Sequence, residues 1–530
     1  MTFINTTDKT RSRKKSHANF MGGVSFDISN PLTQLRVAAS SCFFGEPMYY
    51  NRDASDKRKV RTAQRREMSA GASESLTTWL DSISPVEWRG KAPAELLETA
   101  IDAALNHNAE ATLEFAVELR NDLKFRTTPQ VILVRAANHK KVKGTGLVRR
   151  YAKDIISRAD EPSVGMAYQL QKFGRKNIPN SLKRAWKDAL ERFTPYQLAK
   201  YRMENRQVKT VDVVNLVHPR SEAVNALVRG KLKTTGQTWE SIVSEGGSNT
   251  KSWTEAVDVM GHMALLRNLR NFDKYEVNPK IYLGKLLDTA EKGKQLPFRY
   301  YSAYKAVEGL ASGQVLDTIE ECMTKALGNL PFFQGRTMSL VDNSGSAQGA
   351  TSSSMGTVKV STIGNLTGVL TGMVSEDGYV GVFGDNYKRL AIRRKASIFD
   401  QLKKVEEIGH GIGLGTEHGI WSFLDEALRK GEHWDNIFVY SDMQAGHGGL
   451  YGTGTAYADY TVNGRYIDVP KLINRYRAKV NPNVNVFLVQ TAGYQDTLIP
   501  EFYKKTYILG GWSESVLRFA ANMNDLMGQQ

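Results

Sequence analysis

The chain has 530 residues, with 71 Lys+Arg against 55 Asp+Glu, 41% hydrophobic and 24% charged residues. That length suits two to four domains at about 150 residues each, and the composition excludes a disordered or fibrous chain. No run of about 18 apolar residues exists, which excludes a membrane-spanning helix, and two distant cysteines, Cys42 and Cys322, exclude a disulfide scaffold or zinc knuckle. The opening MTFINTTDKTRSRKKSHANF is basic and lacks the apolar stretch of a signal peptide, so a reducing cytoplasm is the expected compartment.

Residues 1–20 hold Arg11, Arg13, Lys14 and Lys15 and no apolar cluster, which predicts a basic flexible arm. Residues 21–333 read as one helix after another. In 180–193 (NSLKRAWKDALERF), Leu182, Ala185, Trp186, Ala189, Leu190 and Phe193 form one apolar stripe at helical spacing. The same pattern recurs in 94–106 and 110–123, and prolines at 85, 93, 129, 162, 179 and 195 punctuate the helices. Each helix has a stripe to bury on a neighbour, so an α-helical repeat of HEAT-like solenoid or ring form is predicted.

From residue 334 to 530 the texture changes: charge thins out, and Gly and Ser become dense. Apolar runs at 337–341, 379–383, 436–440 and 484–489 predict buried strands. Helical stretches at 358–374, 397–408, 420–430 and 470–479 alternate with them, which predicts a doubly wound α/β domain. Its ligand site is expected beyond the carboxyl ends of the strands.

Charge divides along the same boundary. Residues 331–530 carry 19 Lys+Arg and 19 Asp+Glu, so the whole net charge of +16 lies in the first 330 residues. A basic half beside a neutral one points to a polyanion bound by the first; simple solubility is the bland alternative.

The first strand of the second half ends in Leu340-Val341-Asp342-Asn343-Ser344-Gly345-Ser346, a DxSxS sequence. Asp342, Ser344 and Ser346 offer oxygen, the ligand atom hard divalent cations prefer. Thr416 and Asp442, at two further strand or helix ends, complete a candidate set of two carboxylates and three hydroxyls. With room for water, Mg²⁺ suits this set better than a Ca²⁺ cage. The bland reading is a polar turn with a helix cap.

In the basic half, helix 180–193 presents Lys183, Arg184 and Lys187 beside its apolar stripe. Arg175 and Lys176 precede it, and Arg202, Arg206 and Lys209 follow. Such a row neutralises phosphates and gives affinity without sequence readout. A solvated face laced by Asp188, Glu191 and Glu204 is the competing reading. The run His139-Lys140-Lys141-Val142-Lys143 with Arg149 and Arg150 either extends the patch or is a helix connection in water.

The strand-tip set over 334–530 resembles the metal-ion-dependent adhesion site of von Willebrand factor A domains. The helical half resembles the TROVE module, through Ser181–Arg192 (SLKRAWKDALER), 201–219 ending Asn215-Leu216-Val217-His218-Pro219, Ala264–Leu269 (ALLRNL) and Gln295–Val307 (QLPFRYYSAYKAV). That pairing is similar to the Ro ribonucleoprotein autoantigen family, here of bacterial type. The resemblance implies a ring of helical repeats closed by the A domain. It implies small noncoding Y-like RNA and the single-stranded 3′ ends of misfolded structured RNAs as partners, within RNA quality control and with an exoribonuclease as a further partner. It also implies that Lys183, Arg184 and the neighbourhood of Lys209 touch RNA. Where animal members have a histidine near that last point, this chain has Lys209 or Thr210.

Enzyme motifs are missing: the chain has no GxxxxGK[ST], HExxH or GxSxG, and Gly446–Gly454 is glycine-rich without the lysine of a phosphate loop. The expectation is a non-enzymatic, monomeric RNA-binding protein without a membrane partner. The alternative is a metal-dependent, adhesion-type protein-interaction module on a helical scaffold.

Overall fold

The computed structural model describes residues 16–18, 24–40, 93–201, 203, 206–232, 238–293, 295–349, 358–413, 419–443, 461–462, 466–467, 469–492, 496–498, 505–510, 516–518 and 520–521. Two short strands, β1 (Ser16–Ala18) and β2 (Val24–Asp27), form an antiparallel pair ahead of the helix Pro31–Ser40. Residues 16–18, placed by sequence in the flexible arm, are thus in a strand.

Helices then run in two stacked rows. Ala109–Asn121, Leu147–Ile155, Asn180–Arg192 and Thr210–Val217 pack one on the next, and Thr128–Asn138 and Glu161–Lys172 form the row behind them. The apolar stripe dictates this stacking. Leu182, Ala185, Trp186, Ala189 and Leu190 are all buried, and each large side chain so placed contributes about 1.5–3 kcal/mol of burial. The core is continuous from Leu97 to Leu327, as expected of a helical repeat.

Past the helix Gly313–Leu327 the chain enters β3 (Phe333–Asp342), the first strand of a six-stranded sheet. The others are β4 (Ser375–Phe383), β5 (Tyr387–Ile392), β6 (Asn436–Ser441), β9 (Asn485–Gln490) and β11 (Thr506–Gly510), in the order β11-β9-β6-β3-β4-β5. Two-residue strands β7 (Thr461–Val462) and β8 (Tyr466–Ile467) pair with each other, and β10 (Asp496–Thr497) pairs with β2. Every pairing in the large sheet is parallel except β4 with β5. All six residues of β6 are buried, as a parallel strand covered on both faces requires. Helix Val360–Met373 lies close on β3 because Gly368 has no side chain: a Cβ there would sit 2.5 Å from Val341 Cγ1.

The array is joined to the α/β half at both ends. At its start, helix Pro31–Ser40 packs on helix Pro93–His107 and against β11, and Arg36 forms a two-pronged ion pair with Glu118 at 2.5 and 2.8 Å. At its finish, Gly313–Leu327 packs on helix Ile398–His410, which covers β4 and β5 at the opposite side of the sheet. The helix-then-sheet architecture expected from sequence is therefore present, and the α/β half bridges the two ends of the array.

Candidate metal centre and nucleic-acid interface

β3 and β6 are neighbours, but the chain leaves β3 towards β4 and leaves β6 towards β9. That reversal opens a crevice beyond their carboxyl ends, where ligands bind in doubly wound sheets. Asp342 closes β3 and Asp442 follows β6, so topology sets both carboxylates at this crevice. Both are buried, at 1% and 0% exposure.

The Asp342 carboxylate is held from several sides. Its Oδ1 accepts the Ser344 backbone N–H at 2.9 Å, and its Oδ2 accepts the Ser441 hydroxyl at 2.5 Å. The Asp442 backbone N–H adds a further bond to it, and the Ser344 and Ser346 hydroxyls lie 3.0 Å apart. Burial pushes the Asp342 carboxyl above the usual carboxylate range, against the downward pull of the Ser344, Ser441 and Asp442 hydrogen bonds. The fold thus brings Asp342, Ser344, Ser346 and Asp442 together; Thr416 lies outside the described residues, as does Gly446–Gly454.

Among the described residues, no Lys or Arg forms an ion pair with Asp342, and no group of three or more His, Cys, Asp or Glu is suited to a metal. A buried carboxylate without a cation is costly. The all-oxygen set of two carboxylates and serine hydroxyls is of the kind that a hard divalent ion takes.

Sequence reasoning missed the parts that hold this loop. Ser441 orients Asp342 and itself accepts the Met443 N–H at 3.0 Å. Asn343 and Asn365 exchange amide hydrogen bonds of 2.8 and 3.0 Å, and Gln490 Nε2 donates to the Asp442 carbonyl at 2.9 Å. The DxSxS spacing marks the ligands, whereas these partners come from other elements and leave no local spacing.

The second candidate surface lies on helix Asn180–Arg192. Arg184 is exposed, and Lys183 and Lys187 are half-exposed on the flank away from the core stripe. The acidic residues of the helix are engaged elsewhere. Asp188 pairs with Arg149 at 2.7 Å, and Glu191 accepts the Arg220 backbone N–H at 2.7 Å. Glu204 lies outside the described residues. Among the described residues, Lys183, Arg184 and Lys187 have no ion-pair partner.

Arg175 and Lys176 are exposed in the connection that leads into this helix, and Arg206 and Lys209 are exposed in the one that leads into Thr210–Val217. Lys209 and Thr210 have different fates. Lys209 is exposed and begins a helix, its N–H bonded to Asp212 at 2.7 Å; Thr210 is buried, its hydroxyl bonded to the Tyr201 carbonyl at 2.7 Å. Lys209 is therefore the residue available to a ligand.

The connections line one edge of the array. Lys141 Nζ reaches the Asn106 carbonyl at 2.6 Å, Asn138 bonds Gln169 at 2.7 Å, and Gln169 bonds the Gly174 carbonyl at 3.3 Å. Lys140 and Lys143 are exposed on this edge, whereas Arg149 and Arg150 are committed to Asp188 and Glu110. Of the aromatic residues, Trp186 and Tyr300 are fully buried in the core; Trp79 and Trp88 lie outside the described residues.

The TROVE domain family model matches residues 217–326, from the end of helix Thr210–Val217 almost to the end of Gly313–Leu327. The helix Asn180–Arg192 lies just upstream of that span. The chain is similar in fold to the crystal structure of the Ro (RSR) protein of Deinococcus radiodurans, at 14% identity and a TM-score of 0.55, over 80% of this chain and 93% of that one. No curated protein matches it in sequence. Residues 217–326 thus resemble the TROVE domain, and the chain shares the fold of that Ro (RSR) protein.

Proposed function

We propose that this chain is a non-enzymatic, cytoplasmic RNA-binding protein of the Ro kind. It holds a small noncoding Y-like RNA and engages single-stranded 3′ ends of misfolded structured RNAs, which an exoribonuclease then receives. The observation that carries the reading is the cationic flank of helix Asn180–Arg192, whose acidic neighbours are turned to other elements and so leave Lys183, Arg184 and Lys187 for phosphates. The +16 charge, confined to the first 330 residues, gives the long-range attraction.

In the α/β half, Asp342, Asp442, Ser344 and Ser346 would hold Mg²⁺, with Thr416 as a further ligand from sequence. When bound, the ion supplies positive charge and open positions for an acidic group on a partner protein. That is the second reading, supported by the buried Asp342 carboxylate, which forms no ion pair with a Lys or Arg among the described residues, and it coexists with the first.

The test is a binding titration of a structured RNA with a single-stranded 3′ end at near-physiological salt. Submicromolar affinity with a steep salt slope supports the RNA reading; loss of all binding by about 150 mM salt refutes it. Intact RNA after incubation with Mg²⁺ is the expected outcome, and Mg²⁺-dependent cleavage by purified protein would overturn the non-enzymatic assignment.

A further inference from the structure

Helix Ile398–His410 touches two places that otherwise have nothing in common. Its first turn lies at the seam with the helical array. The Phe399 ring stacks on Tyr304 at 3.9 Å between centroids, and the Phe399 N–H donates to the Glu320 carboxylate at 3.1 Å. Glu320, from the last helix of the array, so caps the amino end of a helix in the α/β half, where a carboxylate is favoured by unsatisfied N–H groups and the helix dipole.

The other end of the same helix abuts the DxSxS loop. Gln348 Nε2 donates both to the Asn343 carbonyl at 2.5 Å and to the Gly409 carbonyl at 3.0 Å. Gly409 is pressed so closely on Asn343 that a Cβ there would lie 2.2 Å from Asn343 Oδ1. Asn343 sits between Asp342 and Ser344, so it cannot shift without moving two of the candidate ligands. Between the two ends, Ile398, Leu402 and Val405 are buried in the α/β core, which makes the 13-residue helix a stiff rod about 20 Å long.

We propose that helix Ile398–His410 couples the state of the strand-tip metal loop to the seam that closes the array on the α/β half. Asp342, Ser344 and Ser346, when holding a cation, would fix Asn343 between them and, through Gln348, the carboxyl end of the rod. The amino end is then held against Tyr304 and Glu320, and the seam tightens. An empty loop leaves the seam looser and the array easier to open for a long RNA. This proposal rests on the reading of the strand tips as a metal centre. It adds that the metal regulates ring closure.

The test follows backbone hydrogen exchange in the full chain with Mg²⁺ or with EDTA, alongside calorimetry of Mg²⁺ uptake. Mg²⁺ should slow exchange around Phe399 and in Gly313–Leu327 by about fivefold or more. In Gln348→Ala, Mg²⁺ should still bind while the seam no longer responds. By reciprocity, Glu320→Ala should weaken Mg²⁺ binding, by at most the factor by which Mg²⁺ tightens the seam. Mg²⁺ uptake with unchanged exchange at the seam, or a full seam response in Gln348→Ala, would overturn the coupling and leave the metal reading standing. Absence of Mg²⁺ uptake by the wild-type chain would remove the metal centre and the coupling together.

Discussion

The helical array and the α/β half use charge in opposite ways. In the array, cations are left at the surface while the nearby acids link one helix to the next: Asp188 to Arg149, Glu110 to Arg150. In the α/β half, the decisive charges are two buried carboxylates at the tips of adjacent strands, in a domain of balanced net charge. Surface cations suit a long polyanion read by its phosphates, whereas buried carboxylates suit one small, hard cation. On the proposed reading the chain attracts opposite partners at two sites, and loss of either site should leave the other working.

The largest separation between the two is expected from Asp342→Ala. Removal of one of two carboxylates should abolish measurable Mg²⁺ uptake while affinity for a short RNA, which needs no opening of the array, stays at the wild-type value. Calorimetry together with an RNA titration checks both halves of that statement, and unchanged Mg²⁺ uptake would remove Asp342 from the centre.

Next in size is Trp186→Ala. Trp186 is completely buried on the inner face of the helix that bears the cationic flank, and its loss should destabilise the array by about 3–5 kcal/mol. Denaturant unfolding should show the helical transition move to lower concentration. A change smaller than about 1 kcal/mol would contradict the packing of this helix into the core.

A smaller effect lies in pH. His262 is 5% exposed, between Thr289 at 3.0 Å and Tyr300 at 2.8 Å, and burial holds its imidazole below the ordinary histidine range. A depressed histidine contributes stability that is present above its unfolded pKa of about 6.5 and lost as pH falls through the folded value. The melting temperature of the chain should drop between pH 7.5 and 5.5, with a flatter profile in His262→Gln. The same profile in both would show that His262 is not the group responsible.

The smallest effect is expected of Arg149→Ala. Arg149 is exposed, and its pair with Asp188 lies at the surface, where such pairs contribute little. The melting temperature should stay within the scatter of replicate measurements; a clear fall would mean that the row of helices depends on these surface links.

Much of this arrangement was legible in the sequence, for physical reasons that differ by region. The array announced itself through the stripe of Leu182, Ala185, Trp186, Ala189 and Leu190, because a helix with one apolar face has one way to bury it. β6 and β9 were legible as unbroken apolar runs, because a central parallel strand is covered on both faces. β5 is not among the strands expected from sequence. It is an edge strand, where cations are common, and Arg389 is satisfied by Glu432 at 2.7 and 3.2 Å. The pairing of β2 with β10 and the packing of Pro31–Ser40 on β11 join residues from opposite ends of the chain, so no local pattern announces them. A fragment from residue 334 onward would lack the helix that packs against β11.

At the candidate sites the split is similar. Asp342, Ser344 and Ser346 were legible because their spacing is local, and Asp442 because it ends an apolar strand. Ser441, Asn365 and Gln348 were not, since each acts through a hydrogen bond to a residue on another element or turn.

The division of labour between the two halves is tested most directly on helix Asn180–Arg192. The variant Lys183→Ala/Arg184→Ala/Lys187→Ala leaves the buried stripe intact and should melt near the wild-type temperature. Its RNA affinity should fall across unrelated sequences, and the slope of log K against log salt should drop by roughly two to three units. Its Mg²⁺ uptake should be unchanged. A normally folded variant that binds every RNA as the wild type does, with the same salt slope, would place the RNA surface elsewhere and contradict the account.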